Sequence, residues 1–212
     1  MAAAGAAAEL VEDGMRLGLG TGTTVAKFLP ALARRGLSLR CVATSPGTEE
    51  AARRVGLHVE PFTTLDRLDL AVDGADQVAP DGWLVKGGGG AHTREKVVAA
   101  AARRFVVVVD STKQLDALVP PVPLELLAYG LASTIELLGP ERVELRDGPP
   151  SPDGGVLAVF TGAVDDPAAL ATWLNSVPGV VAHGLFPPSL VSTVLVGRGS
   201  AVERIDPGHP RA

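Results

Sequence analysis

The sequence predicts an α/β fold, with an open parallel sheet followed by a second, smaller α+β unit of the ferredoxin-like type. In the first part of the chain, short apolar runs alternate with longer amphipathic ones, which is typical of strands and helices that follow one another. Several of these runs are apolar throughout, as in parallel strands that helices cover on both faces. After Ser111, the stretch "LVPPVPLELL" brings three prolines together and marks the expected boundary to the smaller unit.

The spacing of apolar residues defines the elements of the larger unit. Strands are predicted at residues 16–20, 39–45, 68–74 and 105–110, with helices between them at 23–35, 48–56 and 93–104. Gly36 and Gly56 end the first two helices. Pro30 lies inside the first helix, where it removes a hydrogen bond and is expected to kink the helix.

The smaller unit has the order β-α-β-β-α-β, which is the signature of the ferredoxin-like split unit. Its predicted strands are 124–127, 142–145, 156–160 and 180–186, and its helices are 128–138 and 167–175. The runs "STVLVG" and "AVERI" then predict a final hairpin, or two edge strands, that returns to the larger unit. The predicted domains are therefore residues 1–119 with about 190–212, and residues 120–189.

Composition and charge restrict the class of protein. The 212 residues are 46% hydrophobic, enough for a sizeable core, and the net charge is −5. No Lys/Arg-rich run with interleaved aromatic residues is present, so we expect no nucleic-acid partner. No apolar run approaches the ~20 residues of a membrane span, and "MAAAGAAAEL" lacks the charged start of a signal peptide. The single cysteine, Cys41, fits a core position in a reducing compartment, and the predicted location is the cytoplasm.

Polar residues follow three of the predicted strands. Strand 16–20 runs into "GTGTT", strand 39–45 ends at Ser45, and strand 68–74 runs into "DGAD". Ligands bind outside the carboxyl ends of the strands in open parallel sheets. The sequence therefore predicts one ligand site that these three segments share.

The "GTGTT" segment predicts an anion site at the start of a helix, because the free N–H groups there attract negative charge. Its members are Gly20, Thr21, Gly22, Thr23 and Thr24. The alternative is ordinary N-capping by a threonine. A dinucleotide fingerprint fits less well, since its third glycine would fall at Thr23 and no acidic residue ends the second strand. A phosphate cradle without a nucleotide is the favoured interpretation.

The segment "KGGGGAHTRE" carries the strongest chemical signal. Lys86 precedes four glycines, 87–90, and Glu95 follows in the first turn of a helix, whose dipole favours a carboxylate. A carboxylate base and a cation close to a developing oxyanion are what proton abstraction beside a carbonyl requires. The alternative is a flexible surface loop with a solvated Glu–Lys pair. His92 is expected to be a bystander.

The two aspartates of "DGAD" are weaker signals by themselves. Asp-Gly is a common turn, in which a carboxylate can bond backbone N–H groups. No histidine joins Asp73 and Asp76, and their spacing is not that of a calcium loop, so no metal is predicted.

Five motifs, "GLGTGTT", "VDGADQV", "KGGGGAHTREK", "VVDSTKQ" and "VPGVVAHGLF", occur in the order seen in ribose-5-phosphate isomerases of type A. The sequence resembles this family from about residue 9 to residue 205. The resemblance implies a cofactor-free aldose–ketose isomerase of the non-oxidative pentose phosphate pathway, which interconverts ribose 5-phosphate and ribulose 5-phosphate. It also implies a Rossmann-like larger domain and a smaller α+β domain. We expect a sugar phosphate as the partner molecule and a homodimer, and whether dimers pair into homotetramers is left open.

The resemblance also assigns catalytic roles. Glu95 matches the family's base and would move a proton from C2 to C1 through an enediolate, while Lys86 would stabilise the negative oxygen. Asp73 would assist ring opening and Asp76 would orient hydroxyl groups, although the sequence does not decide which aspartate opens the ring.

The phosphate is expected in the "GTGTT" loop, where Thr21 matches a substrate-binding threonine, with help from Lys113 and Ser45. Further substrate contacts are expected from Gly87, Gly88 and Gly89. The family usually carries a lysine near the substrate in a first short helix, but here no lysine precedes Lys27, so another cation would substitute or phosphate affinity would fall. A catalytically silent sugar-phosphate-binding module is the main alternative function, and a dinucleotide-dependent oxidoreductase is a more distant one.

Overall fold

The structure, a computed structural model, describes residues 2–63 and 65–207. Within these ranges the helices are α1 (Ala2–Glu9), α2 (Gly22–Ala33), α3 (Pro46–Arg54), α4 (His92–Ala101), α5 (Leu131–Leu138) and α6 (Pro167–Ser176). The first strands are β1 (Arg16–Leu19), β2 (Arg40–Ala43), β3 (Leu68–Asp73), β4 (Gln77–Val78), β5 (Leu84–Val85) and β6 (Ala102–Asp110). The later strands are β7 (Val122–Leu126), β8 (Val143–Leu145), β9 (Val156–Phe160), β10 (Val180–His183), β11 (Leu185–Phe186), β12 (Thr193–Arg198) and β13 (Ala201–Ile205).

The largest sheet has six strands in the order β13-β12-β6-β3-β1-β2. Every pairing in it is parallel except that of β12 with β13. Alternate residues of a strand point to opposite faces, so Leu70 and Val72 of β3 pack with α1 and α2, whereas Ala71 packs with α4. Helices cover both faces, and the predicted open parallel sheet is confirmed.

The second sheet has four strands in the order β10-β7-β9-β8, all of them paired antiparallel. With α5 and α6 it follows the predicted β-α-β-β-α-β order, which confirms the ferredoxin-like unit. Leu124 of β7, Leu138 of α5 and Leu174 of α6 meet in its core. The bounds of the two domains stay a prediction.

The prediction of one strand over residues 180–186 is wrong, because the chain leaves the second sheet at Gly184. β10 ends before this glycine, and β11 joins β5 and β4 in a third, antiparallel sheet. A Cβ atom at position 184 would lie 2.2 Å from the carbonyl oxygen of Lys86, so only glycine lets the two backbones approach this closely. The N–H of Lys86 donates to the carbonyl oxygen of Gly184 at 2.9 Å, which fixes the segment that carries Lys86.

Several smaller features differ from or extend the prediction. α4 is shorter than the predicted helix 93–104, because Ala102 already pairs with Leu68 of β3. α2 continues through Pro30, and the Ala-rich α1, which the sequence did not predict, packs against α2 and β12. The final hairpin is confirmed, with β12 inside the large sheet and parallel to β6. Cys41 is fully buried in β2, and no helix in the described ranges is long and apolar enough to cross a membrane.

Candidate active site

The carboxyl ends of β1, β3 and β6 surround a cavity of about 140 Å³. The cavity is bounded by the threonine loop (residues 20–24), the segment after β3, the glycine loop (residues 87–90), the first turn of α4 and the turn after β6. Its lining residues are Thr21, Gly22, Thr23, Thr24, Gly74, Ala75, Asp76, Lys86, Gly87, Gly88, Gly89, Glu95, Val109, Asp110 and Lys113. Most residues that the sequence predicted for the site therefore meet in one place, where a parallel sheet binds its ligands.

The side chain of Lys86 lies between two carboxylates. Its Nζ is 2.9 Å from Oδ2 of Asp73 and 3.1 Å from Oε2 of Glu95. It also donates to the carbonyl oxygen of Gly74 at 2.6 Å, and it lies 5.5 Å from the ring centroid of Phe186. All three charged groups are buried, with exposures of 2% for Lys86 and 3% for each carboxylate. The alternative of a solvated Glu–Lys pair on a surface loop is therefore wrong.

Burial and the neighbouring charges shift the pKa values of two of these groups. Burial raises the pKa of Asp73 to about 7, with the charge of Glu95 acting in the same direction and that of Lys86 opposing it. Burial disfavours the ammonium form of Lys86, but Asp73 and Glu95 outweigh this effect and raise the pKa of Lys86 above its ordinary value. The site therefore keeps its cation, which can stabilise an oxyanion that forms beside Glu95.

The threonine loop connects α2 to this charge cluster. Thr21 occupies the N-cap position of α2, but its side chain makes no capping bond and its Oγ1 instead donates to Oε1 of Glu95. Ordinary N-capping, the alternative for this loop, is therefore wrong for Thr21. The N–H of Thr21 donates to Oδ1 of Asp73 at 3.0 Å. Thr23 and Thr24 stand in the first turn of α2, where free N–H groups favour an anion in the cavity.

The glycine loop is fixed by hydrogen bonds to its backbone. The N–H of Gly88 donates to Oδ2 of Asp76 at 2.8 Å, and the N–H of Gly90 donates to the carbonyl oxygen of Gly87 at 2.9 Å. Gly87 has a φ of 107°, and a Cβ atom there would lie 2.7 Å from Nδ1 of His92. Position 87 therefore requires glycine both for its conformation and for space. His92 lies fully buried behind the loop and does not line the cavity.

Three predicted site residues do not line the cavity. Gly20 and Asp73 lie behind it, where the Asp73 carboxylate bonds Lys86 and the Thr21 N–H. Ser45 is the N-cap of α3, and its Oγ accepts a hydrogen bond from the N–H of Thr48 at 3.2 Å. The carboxyl end of β2 thus contributes less to the cavity than the strand pattern predicted.

Two charged residues near the cavity were not predicted. Asp110, the last residue of β6, lines it. Arg146 follows β8 in the second sheet and donates to the carbonyl oxygens of Gly87 at 3.2 Å and Gly88 at 2.8 Å. A lone arginine near a turn carries no periodic or motif signal, so sequence reasoning had no means to find it. Across the described ranges, no group of three or more His, Cys, Asp or Glu side chains is arranged to hold a metal ion.

Comparisons with known proteins agree with this architecture. The sequence model of ribose 5-phosphate isomerase A (phosphoriboisomerase A) matches residues 40–201. Ribose-5-phosphate isomerase A of Caulobacter vibrioides is 43% identical over 216 aligned residues, which cover 95% of each chain. The structure of ribose 5-phosphate isomerase A from Methanocaldococcus jannaschii has a TM-score of 0.90 at 32% identity, with 97% of this chain and 96% of that chain covered. A D-ribose-5-phosphate isomerase solved in complex with phospho-erythronic acid has a TM-score of 0.89 at 34% identity and covers 96% of both chains. The chain therefore belongs to the ribose 5-phosphate isomerase A family.

Proposed function

We propose that this protein is an isomerase that interconverts D-ribose 5-phosphate and D-ribulose 5-phosphate. The observation that carries the proposal is the buried Lys86 between Asp73 and Glu95 beside the cavity. A carboxylate base next to a fixed cation suits proton transfer at a carbon beside a carbonyl. The names of the relatives support this activity, and so does the phosphorylated carboxylate bound by one solved relative.

Glu95 is proposed as the base. It removes the proton from C2 of the open-chain aldose, and the C1 oxygen takes up the negative charge of the enediolate. The same proton then returns to C1, while the C2 hydroxyl passes its proton to the C1 oxygen and becomes the carbonyl. Lys86 stabilises the negative oxygen, and Thr21 holds the other oxygen of the Glu95 carboxylate. Asp76 lines the cavity whereas Asp73 does not, so Asp76 is the aspartate proposed to contact the sugar hydroxyls and assist ring opening.

The phosphate is proposed to lie between the start of α2 and Lys113. Both line the cavity, and together they offer the N–H groups and hydroxyls of the threonine loop and one ammonium group. The glycine loop then supplies the N–H of Gly89 to a sugar oxygen. A role for Ser45 stays a proposal that this geometry does not favour, since its hydroxyl caps α3.

The proposal extends to the location, the oligomeric state, the pathway and the domain bounds of the enzyme. We infer a cytoplasmic homodimer of the non-oxidative pentose phosphate pathway, with a larger domain of residues 1–119 and about 190–212 and a smaller one of 120–189. The pathway follows from the substrate pair, and the inferred location from the single, buried Cys41. Sedimentation of the purified protein would separate a dimer from a monomer or tetramer.

The decisive experiment is an assay of ribulose 5-phosphate formation by purified protein in chelator, without nicotinamide or added metal. We expect turnover, and we expect phospho-erythronic acid to compete with ribose 5-phosphate with a Ki below KM. Groups fixed for a developing oxyanion bind its mimics more tightly than the substrate, commonly by ~10²-fold or more. Binding of phospho-erythronic acid without any turnover would indicate the silent binding module instead. Activity that is lost on dialysis against chelator and restored by a divalent ion would contradict the metal-free mechanism.

A further inference from the structure

Arg146 reaches the glycine loop from the second sheet. One of its guanidinium nitrogens donates to the carbonyl oxygen of Gly87 at 3.2 Å and the other to that of Gly88 at 2.8 Å. Its own N–H donates to the carbonyl oxygen of Leu157 at 2.9 Å, which ties the arginine to β9. Within the described ranges, no carboxylate forms an ion pair with Arg146. Its charge is therefore directed at two consecutive peptide groups of the loop.

The first of these peptide groups is held at both ends. Its carbonyl oxygen, from Gly87, accepts from Arg146, and its N–H, from Gly88, donates to Asp76 at 2.8 Å. A cation at the oxygen and a carboxylate at the N–H fix this peptide plane and polarise it in the same direction. The peptide group between Gly87 and Gly88 therefore cannot rotate without breaking two charge-assisted hydrogen bonds.

The second peptide group joins Gly88 to Gly89. Its carbonyl oxygen accepts from Arg146, and its N–H belongs to Gly89, which lines the cavity. A guanidinium at the oxygen end makes the N–H at the other end a stronger donor, because a polarised peptide carries more positive charge on its hydrogen. The strengthened donor therefore belongs to a residue that lines the cavity.

The backbone of a glycine run depends on hydrogen bonds from other segments more than that of other residues does. Ordering the backbone of one residue costs ~1–2 kcal/mol, and a run of glycines has no side chains whose packing could hold it. Gly88 and Gly89 are both exposed and line the cavity, so hydrogen bonds from elsewhere must define their conformation. Arg146 supplies two of them from an element that does not itself line the cavity.

We propose that Arg146 is a positioning residue, which fixes the peptide groups 87–88 and 88–89 so that the N–H of Gly89 is set to stabilise the enediolate oxygen. The inference rests on the isomerase activity proposed above. It predicts that the second sheet contributes to the rate although none of its residues lines the cavity. The simpler alternative is that Arg146 only joins the two units and stabilises the fold. The two alternatives predict different effects of Arg146 variants on kcat.

The test compares Arg146→Ala and Arg146→Lys with Arg142→Ala. Arg142 belongs to the same unit but packs over Phe160 and Trp173 and has no bond to the loop. Loss of one oxyanion donor costs ~10²–10³-fold in kcat, so we expect Arg146→Ala to lower kcat by roughly 10-fold or more with KM changed less than about threefold. Arg146→Lys should recover little, because an ammonium on a flexible stem lacks the rigid planar fork that holds both carbonyl groups in one geometry. Arg142→Ala should change the unfolding temperature more than kcat.

Chemical rescue gives the discriminating measurement. Arg146 is exposed, so guanidinium chloride at a low, non-denaturing concentration can enter the space left in Arg146→Ala. We expect it to restore part of kcat in that variant, with no gain in wild type or in Arg142→Ala. Wild-type kcat in Arg146→Ala, or equal losses of kcat in Arg146→Ala and Arg142→Ala without rescue, would overturn the proposal. An inactive wild-type protein would instead overturn the proposed function itself.

Discussion

Gly20 lies so close to Asp73 that a Cβ atom at position 20 would be 1.9 Å from Cγ of the aspartate. This contact gives a structural reason for a glycine that the sequence analysis assigned to a phosphate-binding loop. The carboxylate of Asp73 occupies the space beside Gly20 and accepts hydrogen bonds from the N–H groups of Thr21 and Gly74. From that position it also bonds Lys86, so the missing side chain at position 20 allows the charge cluster to form.

We therefore expect Gly20→Ala to reduce kcat by on the order of 10²-fold, since displacing catalytic groups by about 1 Å can cost that much. The added methyl must push Asp73 away, and Lys86 then loses its 2.9 Å partner. Gly47→Ala is the matched control, because a Cβ atom there meets nothing within 4 Å. Steady-state kinetics on both variants checks this, and a fully active Gly20→Ala would show that the position of Asp73 is not critical.

The sequence was sufficient to predict that most of the candidate site residues would lie around one cavity. Parallel strands place their carboxyl ends at one edge of a sheet, so the order of strands predicted that the threonine loop and "DGAD" would meet. Ser45 was placed there by the same rule, but its hydroxyl is used to cap α3. The position of a residue at the carboxyl end of a parallel strand predicts which segments lie close together. It does not predict which way a side chain points.

Other features depended on contacts between distant segments, which no local pattern encodes. Residues 180–186 read as one apolar strand, yet the close approach of Lys86 to Gly184 divides it between two sheets. Arg146 reaches the glycine loop across 59 positions of sequence. The burial of Asp73 behind the cavity, and its raised pKa, could likewise be known only once Lys86 and Glu95 were placed around it.

Glu95→Gln should abolish most turnover while leaving KM nearly unchanged. The amide keeps the shape of the side chain but has no basic lone pair for the C2 proton, and a general base contributes ~10²–10⁴-fold. Glu50→Gln is the charge-matched control, since Glu50 lies on the surface in an ion pair with Arg54. Glu95→Gln with more than about a third of the wild-type kcat would assign the base to another group.

Lys113→Ala should raise KM for ribose 5-phosphate. Lys113 lines the cavity in the turn after β6, and loss of a hydrogen bond to a charged group costs about 1.5–3 kcal/mol, or roughly 10- to 150-fold in affinity. Free ribose should remain an equally poor substrate in variant and wild type, because it has no phosphate to lose. Arg54→Ala removes the same charge from the surface and should leave KM unchanged. An unaltered KM at low salt in Lys113→Ala would place the phosphate elsewhere.

His92 should make the folded state sensitive to acid. Burial lowers the pKa of His92 to about 4, although the nearby carboxylates of Glu125 and Glu95 act against this and only Lys96 acts with it. Since the unfolded chain binds a proton near the ordinary value of ~6.5, the stability associated with neutral His92 is complete above that pH and is lost as the pH falls towards about 4.

The measurement is the free energy of unfolding in urea at several pH values for wild type, His92→Gln and His58→Gln. Between about pH 4 and pH 6.5, wild type should lose stability more steeply than His92→Gln, by up to about 1.4 kcal/mol per pH unit. His58 is exposed, so His58→Gln should keep the wild-type slope. His183 is also buried with a lowered pKa, of about 3, so some acid sensitivity should persist in His92→Gln. Equal slopes in wild type and His92→Gln would mean that His92 becomes protonated within the folded protein, and that the space behind the glycine loop accepts a charge.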